Sequence, residues 1–161
     1  MVSFDLNQPD LKQLQRMVGD SVKVKERIVE QDPHEKGIRK ALNLGHTFGH
    51  AFESWALKRK PILHGYAVAF GLIPELYLSV AKCGFPTEKM RQTVTFIKEN
   101  YGSLGITCDD YDELIELMHH DKKNQNGIIN FTMLGGIGDI RINQTATTEE
   151  IKEALDFFRE G

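Results

Sequence analysis

The sequence predicts a mainly α-helical domain of about six helices with one small β-hairpin. Apolar residues recur at helical spacing through most of the chain, whereas strand-like alternation is confined to one short region near residues 128–142. The chain has 161 residues, of which 40% are hydrophobic and 27% are charged. This length and composition are typical of a single globular domain.

The first two helices are predicted at residues 10–30 and 38–57. In the first, apolar residues recur mostly at three- to four-residue steps after the start signal Pro9-Asp10. In the second, Gly45 and Gly49 lie four residues apart, and each costs about 1 kcal/mol relative to alanine inside a helix. We therefore expect a ligand or a second backbone to approach closely at these glycines.

Three further helices are predicted at residues 64–83, about 87–99 and about 110–120. The first of these is apolar on most sides, which is typical of a buried helix, and Pro74 predicts a kink in it. Residues 84–87, Gly-Phe-Pro-Thr, end this helix and cap the next one. Asp109-Asp110 can cap the third.

The pattern changes after residue 124. Residues 128–133 are strand-like, Gly135-Gly136 interrupts them, and Ile140 and Ile142 alternate with polar neighbours, which predicts a small hairpin. Residues 147–150, Thr-Thr-Glu-Glu, form a capping box that predicts a last helix at 148–159.

Composition excludes some classes of function. The net charge is −3, with 20 Lys and Arg against 23 Asp and Glu, so no overall cationic field favours nucleic acid. The two cysteines form neither a disulfide framework nor a zinc spacing and are expected to be reduced thiols. No apolar run is expected to span a bilayer, and the N-terminus does not have the pattern of a signal peptide. We expect a cytoplasmic protein with no nucleic-acid or membrane partner.

One helical stripe concentrates groups that bind anions and metals. On a continuous helix, Arg39, Asn43, His46 and His50 share a face, because they are spaced four, three and four residues apart. Two imidazoles four residues apart can bind one divalent metal, although exposed or hydrogen-bonded histidines give the same spacing. His64, which opens the next helix, is a candidate third ligand or base, or a capping histidine on the surface.

The segment 119–124, His-His-Asp-Lys-Lys-Asn, is a second polar cluster. Its two lysines could bind a phosphate or carboxylate group. They could equally form a solvated basic turn that complements a helix C-terminus. The charges around residues 23–27 are typical of a solvent-facing surface.

Residues 42–53, LNLGHTFGHAFE, are nearly the signature of the 3-dehydroquinate synthase family, which this chain resembles. Residues 21–25, 64–69, 121–123 and 137–138 are similar to other segments of that family. A glutamate commonly stands where this chain has Tyr66. The resemblance covers essentially the whole chain, but only the C-terminal, α-helical part of the family's protein.

The resemblance implies an activity and a set of residue roles. The family converts 3-deoxy-D-arabino-heptulosonate 7-phosphate to 3-dehydroquinate and phosphate, using NAD and a divalent metal, zinc or cobalt. By resemblance, the metal ligands are His46 and His64, while His50 lines the substrate pocket. The implied substrate contacts are Lys25, Arg39, Asn43 and one of Lys122 or Lys123, with Lys122 preferred.

The resemblance also implies that residues 1–161 are a C-terminal metal- and substrate-binding domain, and that the N-terminal NAD-binding domain is absent from this chain. The family's third metal ligand, a glutamate, belongs to a segment before this chain begins. We therefore expect the isolated chain to be inactive and to bind metal weakly if at all. The resemblance also implies that the full-length enzyme is a homodimer.

Other readings of the sequence remain. Other sugar-phosphate cyclases and metal-dependent alcohol or glycerol dehydrogenases share the histidine motif. An HD-type metal phosphohydrolase requires His120 and Asp121 to meet His46 and His50. A non-catalytic helical interaction module is compatible with the loss of a catalytic half.

Overall fold

The computed structural model describes residues 5, 7, 8, 10–121 and 127–160. These residues form six α-helices, two short 3-10 helices and a two-stranded hairpin, which confirms the predicted fold class. The α-helices are α1 (Leu11–Gln31), α2 (His46–Leu57), α3 (His64–Cys83), α4 (Thr87–Tyr101), α5 (Tyr111–His119) and α6 (Thr148–Glu160). The strands are β1 (Phe131–Gly136) and β2 (Asp139–Gln144), and the 3-10 helices are Ile38–Asn43 and Cys108–Asp110.

The central element is α3, which packs against α2, α4, α6 and β1. It continues as one helix through Pro74, which is itself buried. We expected no apolar run that could span a bilayer, and this expectation needs correction. By length and composition alone, α3 is long and apolar enough to cross a membrane. In this fold, however, 61% of its most apolar 18-residue window is buried inside the domain.

Aromatic rings fill the space between α2, α3, α6 and the hairpin. Phe52 of α2 stacks on Phe158 of α6 with ring centroids 4.8 Å apart, and Phe48 lies 5.5 Å from Phe131 of β1. All four side chains are almost completely buried. Since burying one such ring contributes about 1.5–3 kcal/mol, this cluster fixes α2 firmly in the core.

The hairpin is antiparallel and is anchored to the helices. The Ser79 hydroxyl of α3 accepts a 3.0 Å hydrogen bond from the Leu134 amide. The Thr132 hydroxyl donates to the carbonyl of Lys40, and the Thr47 hydroxyl donates to the carbonyl of Asn130, both at 2.9 Å. The predicted hairpin is therefore confirmed, and its contacts hold it beside the 3-10 helix and the start of α2.

The segment predicted as one helix at 38–57 is divided in two. Residues Ile38–Asn43 form a 3-10 helix, and α2 begins only at His46. Between them Gly45 has φ of 82°, in the left-handed region that glycine adopts at little cost. This turn changes the direction of the chain, so the two halves of the predicted stripe do not lie on one continuous helix.

The caps of the first and last helices agree with the sequence. The Asp10 carboxylate accepts hydrogen bonds from the backbone N–H groups of Lys12 and Gln13 at the start of α1. Thr147 and Glu150 exchange the two hydrogen bonds of a capping box at the start of α6. The prediction that Asp110 caps the fifth helix needs correction. Its carboxylate accepts a hydrogen bond from the Thr107 amide and belongs to the capping box of the 3-10 helix that precedes α5.

The apolar stripe of α1 is exposed in the described part of the chain. Leu11 is 75% exposed and Val22 is 58% exposed, and α1 packs mainly against the 3-10 helix Ile38–Asn43. The helix itself was correctly predicted from its periodicity. Its apolar face, however, does not contribute to the core formed by the other helices.

Candidate metal centre

Three imidazoles meet where α2 begins beside the start of α3. His46 and His50 lie one turn apart on α2, with ring centroids separated by 5.3 Å. The ring of His64, the first residue of α3, lies 5.4 Å from His46 and 5.8 Å from His50. One nitrogen from each ring falls within 4.8 Å of the other two, an arrangement that can hold a divalent ion.

Glycines at the crossing of α2 and α3 allow this approach. A Cβ atom at Gly49 would lie 3.1 Å from both the Ala67 carbonyl oxygen and the Val68 Cα atom. A Cβ atom at Gly71 would overlap the Gly45 carbonyl oxygen and lie 2.5 Å from the Gly49 amide nitrogen. The expectation of close packing at Gly45 and Gly49 is confirmed, and the approaching group is the backbone of α3.

Each imidazole is held through its Nδ1 atom. The partners are the Leu44 carbonyl oxygen for His46 at 3.1 Å, the Asp121 carboxylate for His50 at 3.0 Å and the Glu53 carboxylate for His64 at 2.7 Å. A carbonyl or an ionised carboxylate only accepts, so Nδ1 carries the proton in a neutral ring and Nε2 carries the lone pair. Outer partners of this kind are typical of histidines that bind metals.

The centre is open on one side. The side chain of His64 is 54% exposed, and that of Glu53 is 34% exposed. The His50 side chain is 36% exposed, whereas Asp121 behind it is only 10% exposed. An ion at this position would thus be held by imidazole nitrogens on one side. On its other side it would remain accessible to a substrate or to a further ligand.

Arg39 and Asn43 contact the loop that joins α1 to the 3-10 helix. The Arg39 guanidinium donates to the Pro33 carbonyl at 2.8 Å, and the Asn43 amide donates to the Glu35 carboxylate at 2.8 Å. The predicted stripe is thereby split, with these two side chains on the 3-10 helix and the imidazoles on α2.

Asp32 organises this loop. Its carboxylate accepts hydrogen bonds from the backbone N–H groups of Lys36, Gly37 and Arg39 at 3.0, 2.7 and 3.1 Å. These backbone donors, those of Lys36 and Gly37 foremost, lower the pKa of Asp32 below its ordinary value of 3.8. The ionised carboxylate therefore fixes the backbone from which Arg39 projects.

A cleft of about 680 Å³ lies between this loop, the 3-10 helix and the hairpin. Its polar lining includes Glu35, Lys36, Lys40, Asn43, Thr132 and Asn143, and the Glu35 carboxylate accepts from the Asn43 amide. The ammonium group of Lys40, on the 3-10 helix Ile38–Asn43, donates to the side chain of Asn143 on β2 at 3.1 Å. Lysines and amides suit a ligand that carries anionic groups and hydroxyls.

The remaining candidates lie apart from the imidazoles or outside the description. Lys25 is an exposed side chain on α1. Lys122 and its alternative Lys123 lie outside the described residues. His120 is exposed and contacts Glu116 on its own helix at 3.1 Å. Of the pair that an HD-type site requires, only Asp121 reaches the histidines.

Sequence reasoning missed the parts played by Glu53 and Asp121. Glu53 follows His50 by three residues on α2, so it shares that histidine's face of the helix. This spacing was the sequence signal that a carboxylate lies beside the histidines of the centre. Asp121 is brought to His50 by the packing of α5 on α2, which local spacing does not reveal.

Solved structures place this domain in a class by its fold. The crystal structure of 2-deoxy-scyllo-inosose synthase, complexed with carbaglucose-6-phosphate, NAD⁺ and Co²⁺, superposes with a TM-score of 0.72 at 23% identity. The superposed region covers 93% of this chain and 41% of the synthase. The 2-epi-5-epi-valiolone synthase of Streptomyces hygroscopicus subsp. jinggangensis, with NAD⁺ and Zn²⁺ bound, gives 0.70 at 21% identity, covering 93% and 40%. The fold is therefore that of the matched part of these synthases.

Sequence relatives define the family within that class. Residues 3–124 match the family described as 3-dehydroquinate synthase C-terminal, and the chain belongs to this family. It is 61% identical over 159 residues to the 3-dehydroquinate synthase of Parabacteroides distasonis, covering 98% of this chain and 45% of that protein. The corresponding enzyme of Leptospira interrogans is 41% identical over 143 residues, covering 86% and 39%. The chain thus spans less than half the length of these relatives.

Proposed function

We propose that this chain is the metal- and substrate-binding part of a 3-dehydroquinate synthase. The complete enzyme converts 3-deoxy-D-arabino-heptulosonate 7-phosphate to 3-dehydroquinate and phosphate in the shikimate pathway. The observation that carries the proposal is the meeting of three imidazoles in a domain whose curated relatives have this name.

The donor set fits a divalent metal. Imidazole nitrogens suit zinc and cobalt, and the Nδ1 partners hold the rings in one orientation. His46 and His64 are the ligands in this proposal, while His50 lines the pocket beside them. When bound, the ion supplies Lewis acidity, which polarises a coordinated substrate oxygen and lowers its pKa.

The substrate carries a phosphate and a carboxylate, so its site requires cations. Lys36 and Lys40 supply positive charge in the cleft, and the Asn43 amide on the same surface can orient a hydroxyl group. Arg39 is fixed beside this cleft by its loop contacts. Lys25 and Lys122 complete the proposed set of substrate contacts.

NAD is proposed to bind chiefly to the part of the longer enzyme that this chain does not match. The relatives are more than twice as long as the matched region. On this proposal the 161-residue chain alone holds a metal less tightly than the full-length enzyme and releases no phosphate. The complete enzyme is proposed to be a cytoplasmic homodimer without a nucleic-acid or membrane partner.

A chimaeric enzyme tests the proposal. In the Parabacteroides distasonis synthase, the aligned segment is replaced by this chain, and phosphate release is measured with the heptulosonate phosphate, NAD and Co²⁺. We expect activity in the chimaera, and loss of at least about a hundredfold after His46→Ala or His64→Ala. His120→Ala is the matched control, because that histidine is exposed and its side chain pairs with Glu116 of α5.

Two results would contradict the proposal. One is a folded chimaera that is inactive with this substrate but releases phosphate from a six-carbon sugar phosphate, which would favour another cyclase. The other is full activity in the His46→Ala and His64→Ala variants, which would remove the metal centre from the reaction.

A further inference from the structure

We propose that Glu53 and Asp121 are positioning residues of the metal centre. Each carboxylate holds one imidazole with Nδ1 protonated. Glu53 thereby directs Nε2 of His64 to the ion, and Asp121 directs Nε2 of His50 to the pocket beside it. This inference rests on the proposed function and adds two residues to it.

Glu53 connects the two helices of the centre. Its carboxylate, on α2, lies 2.7 Å from Nδ1 of His64 at the start of α3. Both side chains are partly exposed, and ion pairs in such positions contribute only about 0–1 kcal/mol to stability. Orientation of the imidazole is therefore a better account of this short contact than stabilisation of the fold.

Asp121 acts on His50 from a different element. It follows the end of α5, and its carboxylate lies 3.0 Å from Nδ1 of His50. Its side chain is 10% exposed, so the contact is shielded from solvent better than the one made by Glu53. The shielding keeps the acceptor fixed behind the ring while the opposite side of His50 faces the centre.

The third imidazole, that of His46, also has an acceptor at Nδ1. His46 is bonded at Nδ1 by the Leu44 carbonyl, in the turn that the left-handed Gly45 creates before α2. Three acceptors of separate origin thus select one nitrogen in all three histidines. By contrast, the exposed pair of His120 and Glu116 is bonded through Nε2 within a single helix.

The tautomers can be measured directly by ¹⁵N–¹H correlation spectroscopy of the imidazoles. The 161-residue chain is used without metal at about pH 8, where free imidazole is neutral. We expect protonation at Nδ1 in His50 and His64. Glu53→Gln should populate the Nε2-protonated form at His64 alone, and Asp121→Asn should do so at His50 alone. Glu116→Gln is the matched control, since it alters a histidine–glutamate pair away from the centre.

Metal affinity provides the second readout. In the 161-residue chain, competition with a chromophoric chelator for Co²⁺ should show affinity reduced about 10–100-fold by Glu53→Gln and unchanged by Glu116→Gln. Glu53 is partly exposed, so its variant is expected to fold even where the more buried Asp121 variant does not.

Protonation of His64 and His50 at Nε2 in the unsubstituted chain would overturn the inference. So would a Glu53→Gln variant whose tautomer and Co²⁺ affinity match those of Glu116→Gln. Because the tautomers are observed without metal, a chain that shows them but binds no Co²⁺ would count against the proposed metal site and not against positioning by the carboxylates.

Discussion

Gly71 of α3 lies directly against Gly49 of α2, and the contact between these two residues sets the geometry of the centre. A Cβ atom at Gly71 would stand 2.5 Å from the Gly49 amide nitrogen and 2.9 Å from its Cα atom. Because the two backbones touch there, the first turn of α3 comes close enough for His64 to reach the histidines of α2. The glycines are therefore part of the site, although they carry no reactive group.

We predict that Gly71→Ala separates the helices and destabilises the domain. The neighbours of the added methyl group are backbone atoms, which cannot move aside as a flexible side chain can. Overpacking of this kind costs about 1–3 kcal/mol, and this contact belongs at the upper end or beyond it. Urea unfolding followed by circular dichroism measures the loss.

Gly19→Ala is the control for this prediction. Nothing lies within 4 Å of a Cβ atom at Gly19 in α1, so the same substitution should raise helix stability by as much as about 1 kcal/mol. A Gly71→Ala variant as stable as the parent chain would show that the helices can separate without loss.

Much of the fold could be predicted from the sequence because its signals are local. The long apolar run of α3, the capping box at Thr147 and the strand-like alternation of the hairpin are each signals carried by neighbouring residues. The break at Gly45 was not predicted, because a helical apolar pattern continues across it. Only its φ of 82° reveals that the chain turns there.

The centre was predicted in part for the same reason. His46 and His50 share a face through simple helical spacing, and His64 was a candidate third ligand or base because it opens the next helix. The orientation of Arg39 depends on Asp32, seven residues earlier, and the contact of Asp121 with His50 spans 71 residues. Neither relationship has a periodic signature, so the structure was needed to find them.

We predict that Asp32→Ala disorders the loop that carries Arg39. The substitution removes the acceptor for the N–H groups of Lys36, Gly37 and Arg39. Amide hydrogen exchange at these three positions should accelerate, while exchange in the core helix α3 should not. Asp20→Ala, on the exposed surface of α1, serves as the control and should leave all of these amides protected.

The same contacts predict a pH dependence. The pKa of Asp32 is lowered in the folded chain, chiefly by the backbone N–H groups of Lys36 and Gly37, so its contribution to stability is present above the ordinary value of 3.8. It is lost as the pH falls through the lower, folded value. The amide proton shift of Gly37 should report this titration below pH 3.8. A titration midpoint above 3.8 would contradict the assignment.

We predict that the phenol of Tyr111 ionises late. Burial, followed by its 2.6 Å hydrogen bond to Asp156, raises the pKa of Tyr111 to about 12 from 10.0. Because the raised pKa belongs to the folded state, the stabilisation is complete below pH 10 and is lost as the pH rises toward 12. Ultraviolet titration of phenolate, compared with that of Tyr111→Phe, identifies the group. Tyr66→Phe, at a position 40% exposed, is the control and should retain the late titration.

Zinc should stabilise the folded chain through His46 and His64. A ligand that binds only the folded state adds about 2.7 kcal/mol at a concentration one hundred times its dissociation constant. His64 opens α3 and His46 opens α2, so an ion between them also ties the first turns of the two helices together. The midpoint of thermal unfolding should therefore rise with zinc in the parent chain and in His120→Ala, and the rise should be mostly lost in His64→Ala. An equal rise of the unfolding midpoint in His64→Ala and in the parent chain would mean that zinc binds elsewhere, because His64 is the imidazole that α3 contributes to the centre.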